Sequence, residues 1–185
     1  MSEPSLPEKI VAIHARLNRA GIAHAFGGAL ALAYYAEPRA TDDIDLNVFI
    51  EPVAVAVVLD AFAPLGVEDD LDRVALERDG QCRLWWGRTP IDLFFAYDAI
   101  HEEMRRDLRV VPFGQDRLPI LAPEHLLVCK IAFDRPKDWL DLEQVLVCVE
   151  DLDVEEVRSW LARILGERDP RIERFDQARD TLLAD

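Results

Sequence analysis

The stretch FGGALALAYYAEPRATDDIDL, residues 26–46, constrains this chain more than any other. Residues 23–26 read as a short apolar strand that turns at Gly27-Gly28. An Ala/Leu-rich helix is predicted to follow and to stop near Pro38, because the residue before a proline is pushed out of the helical region. An alternating strand is then expected over residues 43–50. Ile44, Leu46 and Val48 point one way along it, into a core, and Asp43 and Asp45 point the other.

Two pieces of chemistry follow from that arrangement. A Gly-Gly corner brings bare backbone N–H groups to an anion, which suits a phosphate. Two carboxylates roughly 6 Å apart repel by about 3 kcal/mol at an effective dielectric of 20. A fold tolerates such a pair best with a cation between them, and hard oxygen donors favour Mg²⁺ or Mn²⁺ over zinc. Alone, a Gly-Gly is an ordinary turn and an Asp-x-Asp an ordinary solvated strand edge. The order strand, Gly-Gly, helix, Arg-x-Thr, then Asp-x-Asp strand is far more specific.

On Gly27, Gly28, Arg39, Thr41, Asp43 and Asp45, the segment resembles the core of the DNA polymerase beta-type nucleotidyltransferase superfamily. It is most similar to the bacterial group of AbiEii-type toxins and stand-alone nucleotidyltransferase-like proteins. The resemblance implies an α+β fold, with a mixed sheet flanked by helices and a C-terminal helical bundle. It implies that Gly27, Gly28, Arg39 and Thr41 bind a nucleoside triphosphate such as ATP, and that Asp43 and Asp45 hold the metal. The second glycine position is often serine in that superfamily and is Gly28 here.

Length and charge bound the rest. With 185 residues, half of them hydrophobic, the chain can bury a real core. The expected division is a nucleotidyltransferase-like core over 1–122 and a helical region over 123–185. A net charge of −15 disfavours a long nucleic acid partner, whose affinity comes largely from Lys and Arg on phosphates. A local basic patch could still serve a tRNA end. Cys82, Cys129 and Cys148 lie in apolar stretches without a CxxC, which reads as buried free thiols in a reducing cytoplasm. No apolar run reaches the length of a membrane span.

Along the chain, residues 7–20 read as an amphipathic helix closed by Gly21, with His14 and His24 structural. A helix is expected over 52–65, an acidic solvated loop over 68–72, and a short strand over 74–77. Residues 81–86 and 90–97 read as a hairpin across Gly87-Arg88-Thr89. Asp92 is the one charge in its apolar strand, and a central strand seldom carries a lone carboxylate without a partner. The alternative is an edge-strand aspartate facing water. In the resembled superfamily a third carboxylate comes from a strand beside the Asp-x-Asp strand. Asp92 fits that role, as general base on the attacking group or as a further metal ligand. A polar helix over 98–107 and strands over 108–112 and 118–121 follow.

Only three of the 21 basic residues are lysines: Lys9, Lys130 and Lys137. Lys130 ends an apolar helical run, so its stem is expected to be buried and its ammonium to need a carboxylate or phosphate. Helices are expected at 124–133, 137–149, 153–165 and 172–183, with Asp153 and Glu156 forming a capping box. By resemblance, Lys130 faces the triphosphate, and Arg135, Lys137, Asp138 and Asp141 form the turn beyond it. The alternative is a surface pairing of Lys137 with Asp141.

The function so implied is metal-dependent transfer of a nucleoside monophosphate from a triphosphate to an acceptor, whether protein, tRNA end or small molecule. Asp43, Asp45, Asp92 and Lys130 would be its catalytic residues. A protein partner from the same operon, as in toxin–antitoxin pairs, belongs to the same expectation. So does a rival reading, a non-catalytic nucleotide-binding regulatory or antitoxin-like subunit on the same fold.

Overall fold

A computed structural model describes residues 3–68 and 71–183; residues 69 and 70 of the expected acidic loop lie outside it. In chain order the regular elements are α1 (Leu6–Ala20), β1 (His24–Phe26), α2 (Gly28–Leu32), β2 (Ile44–Val48) and α3 (Val55–Phe62). Then come α4 (Arg73–Asp79), β3 (Gln81–Trp86), β4 (Thr89–Phe95), α5 (Ala99–Asp107), β5 (Arg109–Phe113) and β6 (Asp116–Ile120). The last four are α6 (Pro123–Phe133), α7 (Pro136–Cys148), α8 (Val154–Leu165) and α9 (Pro170–Leu182). None of the described helices is long and apolar enough to cross a membrane.

The chain forms two compact units. The first comprises residues 1–27 and 40–120, and the second residues 28–39 and 121–185. Residues 28–39 thus cluster with the C-terminal helices rather than with their neighbours in sequence.

The first unit is built on a six-stranded sheet in the order β3-β4-β2-β1-β6-β5. Within it β2 and β4 pair in parallel, with Ile44, Asp45 and Leu46 opposite Ile91, Asp92 and Leu93. Side chains alternate across a strand, so this register sorts the faces. Ile44, Leu46, Val48, Ile91, Leu93 and Phe95 are all buried on one face, and the aspartates share the other. β1 is antiparallel to β2 and parallel to β6.

Two polar clusters pin α1. Lys9, almost wholly buried, donates from Nζ to Glu3 Oε1, the Trp86 carbonyl and Thr89 Oγ1, tying the helix to the β3–β4 hairpin. His24 Nδ1 is 2.9 Å from the Ile22 carbonyl, which can only accept, so Nδ1 carries the proton. His24 Nε2 then accepts from His14 Nδ1, and His14 Nε2 accepts from the Asn18 amide. The chain closes only with both imidazoles neutral. Burial dominates at His24 and pushes its pKa down to about 4, against the pull of the Ile22 carbonyl. Below pH 6.5 the unfolded state takes up a proton that the folded state refuses, so stability is full above 6.5 and drains away toward pH 4. Thermal melts from pH 7 to 4 should show a loss of roughly 3 kcal/mol in the parent, and His24→Gln should flatten that slope.

In the second unit α6 is the central helix, buried on nearly every side. It packs against α2, α7, α8 and α9. The Tyr35 hydroxyl donates to the Leu121 carbonyl at 2.7 Å and ties the 28–39 segment to the start of α6.

Several local expectations need correction. The first helix of the glycine stretch ends at Leu32, not near Pro38. Tyr34 and Tyr35 already take three-residue hydrogen bonds, to Ala31 and Leu32, and the coil tightens into turns. The predicted strand 74–77 is the helix α4. Asp72 caps it through the Val74 and Ala75 amides, Gly80 closes it in the left-handed region, and β-branched Val74 simply faces water. Asp153 caps α8 on the Glu156 amide, but its own amide bonds Glu124, so the reciprocal half of the box is absent. The cysteines are less buried than expected: Cys148 is exposed, and Cys82 and Cys129 are half-buried.

Candidate active site

The carboxylates sit in one row of the sheet. The register makes Asp45 and Asp92 direct neighbours across β2 and β4. Asp43, two residues before Asp45, precedes the strand on the same side. The row continues in both directions: Arg83 of β3 lies opposite Asp92, and the Gly27 amide donates to the Asp45 carbonyl at 2.9 Å. The glycine corner is therefore held against the strand that carries Asp45. Gly28, the next residue, has φ 52°, a left-handed conformation that glycine adopts without cost.

Thr41 Oγ1 donates to Asp43 Oδ1, and the Asp43 amide returns to the same hydroxyl at 3.4 Å. This local turn orients Asp43 at the mouth of β2. A cleft of about 570 Å³ opens beside it, lined by Thr41, Asp42, Lys9, Arg88 and Thr89 among others. A second cleft, of about 600 Å³, is lined by residues such as Glu51, Tyr97 and His101, and Asp43, Asp45 and Asp92 line neither of the two.

The sequence reading missed Arg83. Its guanidinium grips Asp92 with both arms, Nε to Oδ1 at 2.6 Å and Nη2 to Oδ2 at 2.8 Å. That hydrogen bonding raises the Arg83 pKa against the opposing effect of burial, and the charges of Asp92, Asp43 and Asp45 add to the rise. All three carboxylates therefore act on this one cation. The signal was available: in a β3–β4 hairpin turning at residues 87–88, position 83 falls opposite position 92.

As a donor set, three carboxylates on one face of the sheet suit a hard divalent ion. Among the described residues, however, these three do not bring one oxygen each within 4.8 Å of one another. Asp92 has both of its oxygens on Arg83.

The other expected residues lie in the second unit. Lys130 is buried as expected, and its ammonium lies 2.5 Å from Asp141 Oδ2 and 3.9 Å from Asp138 Oδ1. Arg39 also binds Asp141, through Nε and Nη2. Burial pushes the Asp141 carboxyl up, but the Arg39 and Lys130 hydrogen bonds and charges outweigh it and hold the pKa below the usual range. Asp138 is engaged by Arg135 at 2.6 Å, and Lys137 is exposed. Asp141 therefore pairs with Lys130 and Arg39, not with Lys137 as a surface pairing would require. Its burial decides this, since a buried carboxylate must be met by cations inside.

No protein-family profile and no curated protein matches the chain. Solved structures do. An antigenic nucleotidyltransferase-like protein from Paracoccidioides brasiliensis superposes with a TM-score of 0.56 at 14% identity, covering 97% of each chain. ANT(2")-Ia in complex with adenylyl-2"-tobramycin gives 0.54 at 16% identity, over 96% of this chain and 97% of that one. A candidate nucleotidyltransferase from H. pylori gives 0.54 at 19% identity, over 100% of this chain and 81% of that one. The fold is the nucleotidyltransferase type.

Proposed function

We propose that the chain is a metal-dependent nucleotidyltransferase, moving a nucleoside monophosphate from a triphosphate to an acceptor. The observation that carries this reading is the row Gly27, Asp45, Asp92, with Asp43 on the same side and the glycine amide bonded to the Asp45 strand. Asp43 and Asp45 would hold Mg²⁺ or Mn²⁺, with Asp92 as a further ligand or as the base that takes the acceptor's proton. When bound, the ion supplies charge stabilisation for in-line attack at the α-phosphate.

Gly27 and Gly28 offer backbone amides to the phosphates, and Thr41 keeps Asp43 oriented. Arg39, Lys130 and the turn residues Lys137, Asp138 and Asp141 are assigned to the nucleotide by resemblance. Arg39 and Lys130 are both held on Asp141, and each would have to release it to reach a phosphate. Their first duty is the folding of the helical unit.

The strongly acidic chain favours a small acceptor over a long nucleic acid. One structural neighbour was captured with adenylyl-2"-tobramycin, so a small molecule is the first acceptor class to test. Thermal unfolding in Mg²⁺ with each triphosphate should reveal one nucleotide that raises the midpoint, at saturation by several degrees. Incubation with the α-labelled nucleotide and a panel of acceptors should then label one of them and release pyrophosphate. A thermal shift with no labelled acceptor and no pyrophosphate would overturn the reading in favour of a nucleotide-binding regulatory or antitoxin-like subunit, and no shift with any nucleotide would overturn both.

A further inference from the structure

We propose that Arg83 is a built-in countercation of the carboxylate row, which competes with the divalent ion for Asp92. The inference rests on the reading above, and it assigns to β3 a residue that controls the metal affinity of the site. Four observations support it. Arg83 lies opposite Asp92 in the ladder, so its side chain emerges on the carboxylate face. Its fork engages both Asp92 oxygens, the geometry in which guanidinium and carboxylate bind most tightly. Asp43 and Asp45 act on the same guanidinium. Its side chain is 53% exposed, so it can leave without unpacking the core.

The physics makes the contact a switch rather than a plain surface salt bridge. Three like charges on one face of the sheet destabilise it unless a cation joins them. With no metal bound, Arg83 is that cation. A divalent ion that takes Asp92 as a ligand must first displace the guanidinium. The free energy of the Arg83–Asp92 contact is subtracted from that of metal binding, so the row binds the bare ion more weakly than three unencumbered carboxylates would. Trp85, two residues on along the same face, has its ring centroid 6.0 Å from the guanidinium carbon, a resting place for the cation once it is displaced.

The test uses the whole chain and Mn²⁺ as the probe, with free ion counted by electron paramagnetic resonance and no nucleotide present. Arg83→Gln removes the charge and keeps a polar side chain at an exposed edge position. It should bind Mn²⁺ about tenfold more tightly than the parent, the gain expected from a charge-assisted contact of roughly 1.4 kcal/mol. Arg83→Lys keeps the charge and loses the fork, so its affinity should fall between the two. Mg²⁺ should also raise the melting temperature of Arg83→Gln more than that of the parent, because the metal then replaces a missing cation.

Arg83→Gln with parental or weaker Mn²⁺ affinity overturns the proposal. So does the absence of saturable Mn²⁺ binding in Arg83→Gln. Asp45→Asn separates this failure from failure of the functional reading. If Mn²⁺ binds the parent, is lost in Asp45→Asn and is indifferent to Arg83, only the countercation role falls. If the parent and Asp45→Asn bind Mn²⁺ alike, the carboxylate row is not the metal site and the transferase reading falls with it.

Discussion

Asp45→Asn should lower transfer of the α-labelled nucleotide about a thousandfold, the effect of withdrawing roughly 4 kcal/mol of transition-state stabilisation. The same protein should melt no lower than the parent. The two outcomes together give the experiment its power. Asp45 stands beside Asp92 in the β2–β4 ladder and on the same side as Asp43, so removing its charge relieves repulsion within the row. Asparagine keeps the size and a carbonyl oxygen, and the buried face of β2 is untouched, since Ile44, Leu46 and Val48 point the other way. A folded, undiminished protein that has lost transfer places Asp45 in the chemistry. Retention of more than a tenth of the parental rate would remove it from there. A fall in melting temperature with parental activity would make it an ordinary structural aspartate.

Asp141→Ala should cost about 3–5 kcal/mol of stability, the range for removing one member of a buried ion pair. Lys130 would be left with its ammonium buried and only the more distant Asp138 nearby, while Arg39 is exposed enough to find water. Replacing both partners, as Lys130→Met with Asp141→Leu, should recover most of the loss, because no buried charge is left uncompensated: Arg39 reaches water and Asp138 keeps Arg135. Urea titrations at pH 7 measure both. Asp141 also sets an acid limit. Its folded pKa lies below the unfolded value, so its contribution is present above about pH 4 and is lost as the pH falls through the folded value. The parent should therefore lose stability in that range more steeply than Asp141→Asn. The same substitutions separate two roles for Lys130. If its duty is folding, the double variant keeps transfer activity; if it acts on the phosphates, activity falls while stability returns.

Much of the fold was legible because alternation and capping are local. The periods of 2 and 3.6 located the hairpin, the amphipathic helices and the face of β2 that carries Asp43 and Asp45. Where local signals conflicted, reading failed. Val74 suggested a strand, but the Asp72 cap and the Gly80 stop on either side of it make a helix. The two tyrosines continued a helical pattern that the chain had already left at Leu32. The candidate site was legible as residue types, and Asp92 was singled out by its isolation in an apolar strand. Arg83 was missed because its importance comes from an unlike residue on the next strand, and no periodic pattern marks it. The partners of Asp141 were missed for the same reason: Arg39 lies 102 residues from it and Lys130 lies 11.

By itself, then, the order of residues determined which side chains each strand and helix shows to each side, since that depends only on backbone geometry within a few residues. Tertiary structure decided which charges meet. Parallel pairing of β2 with β4 put two carboxylates in one row, antiparallel pairing of β3 with β4 gave that row its arginine, and packing of α6 and α7 with the 28–39 segment buried Asp141 between two cations. Coulomb energy depends on distance in space and on burial, and neither is written in sequence separation.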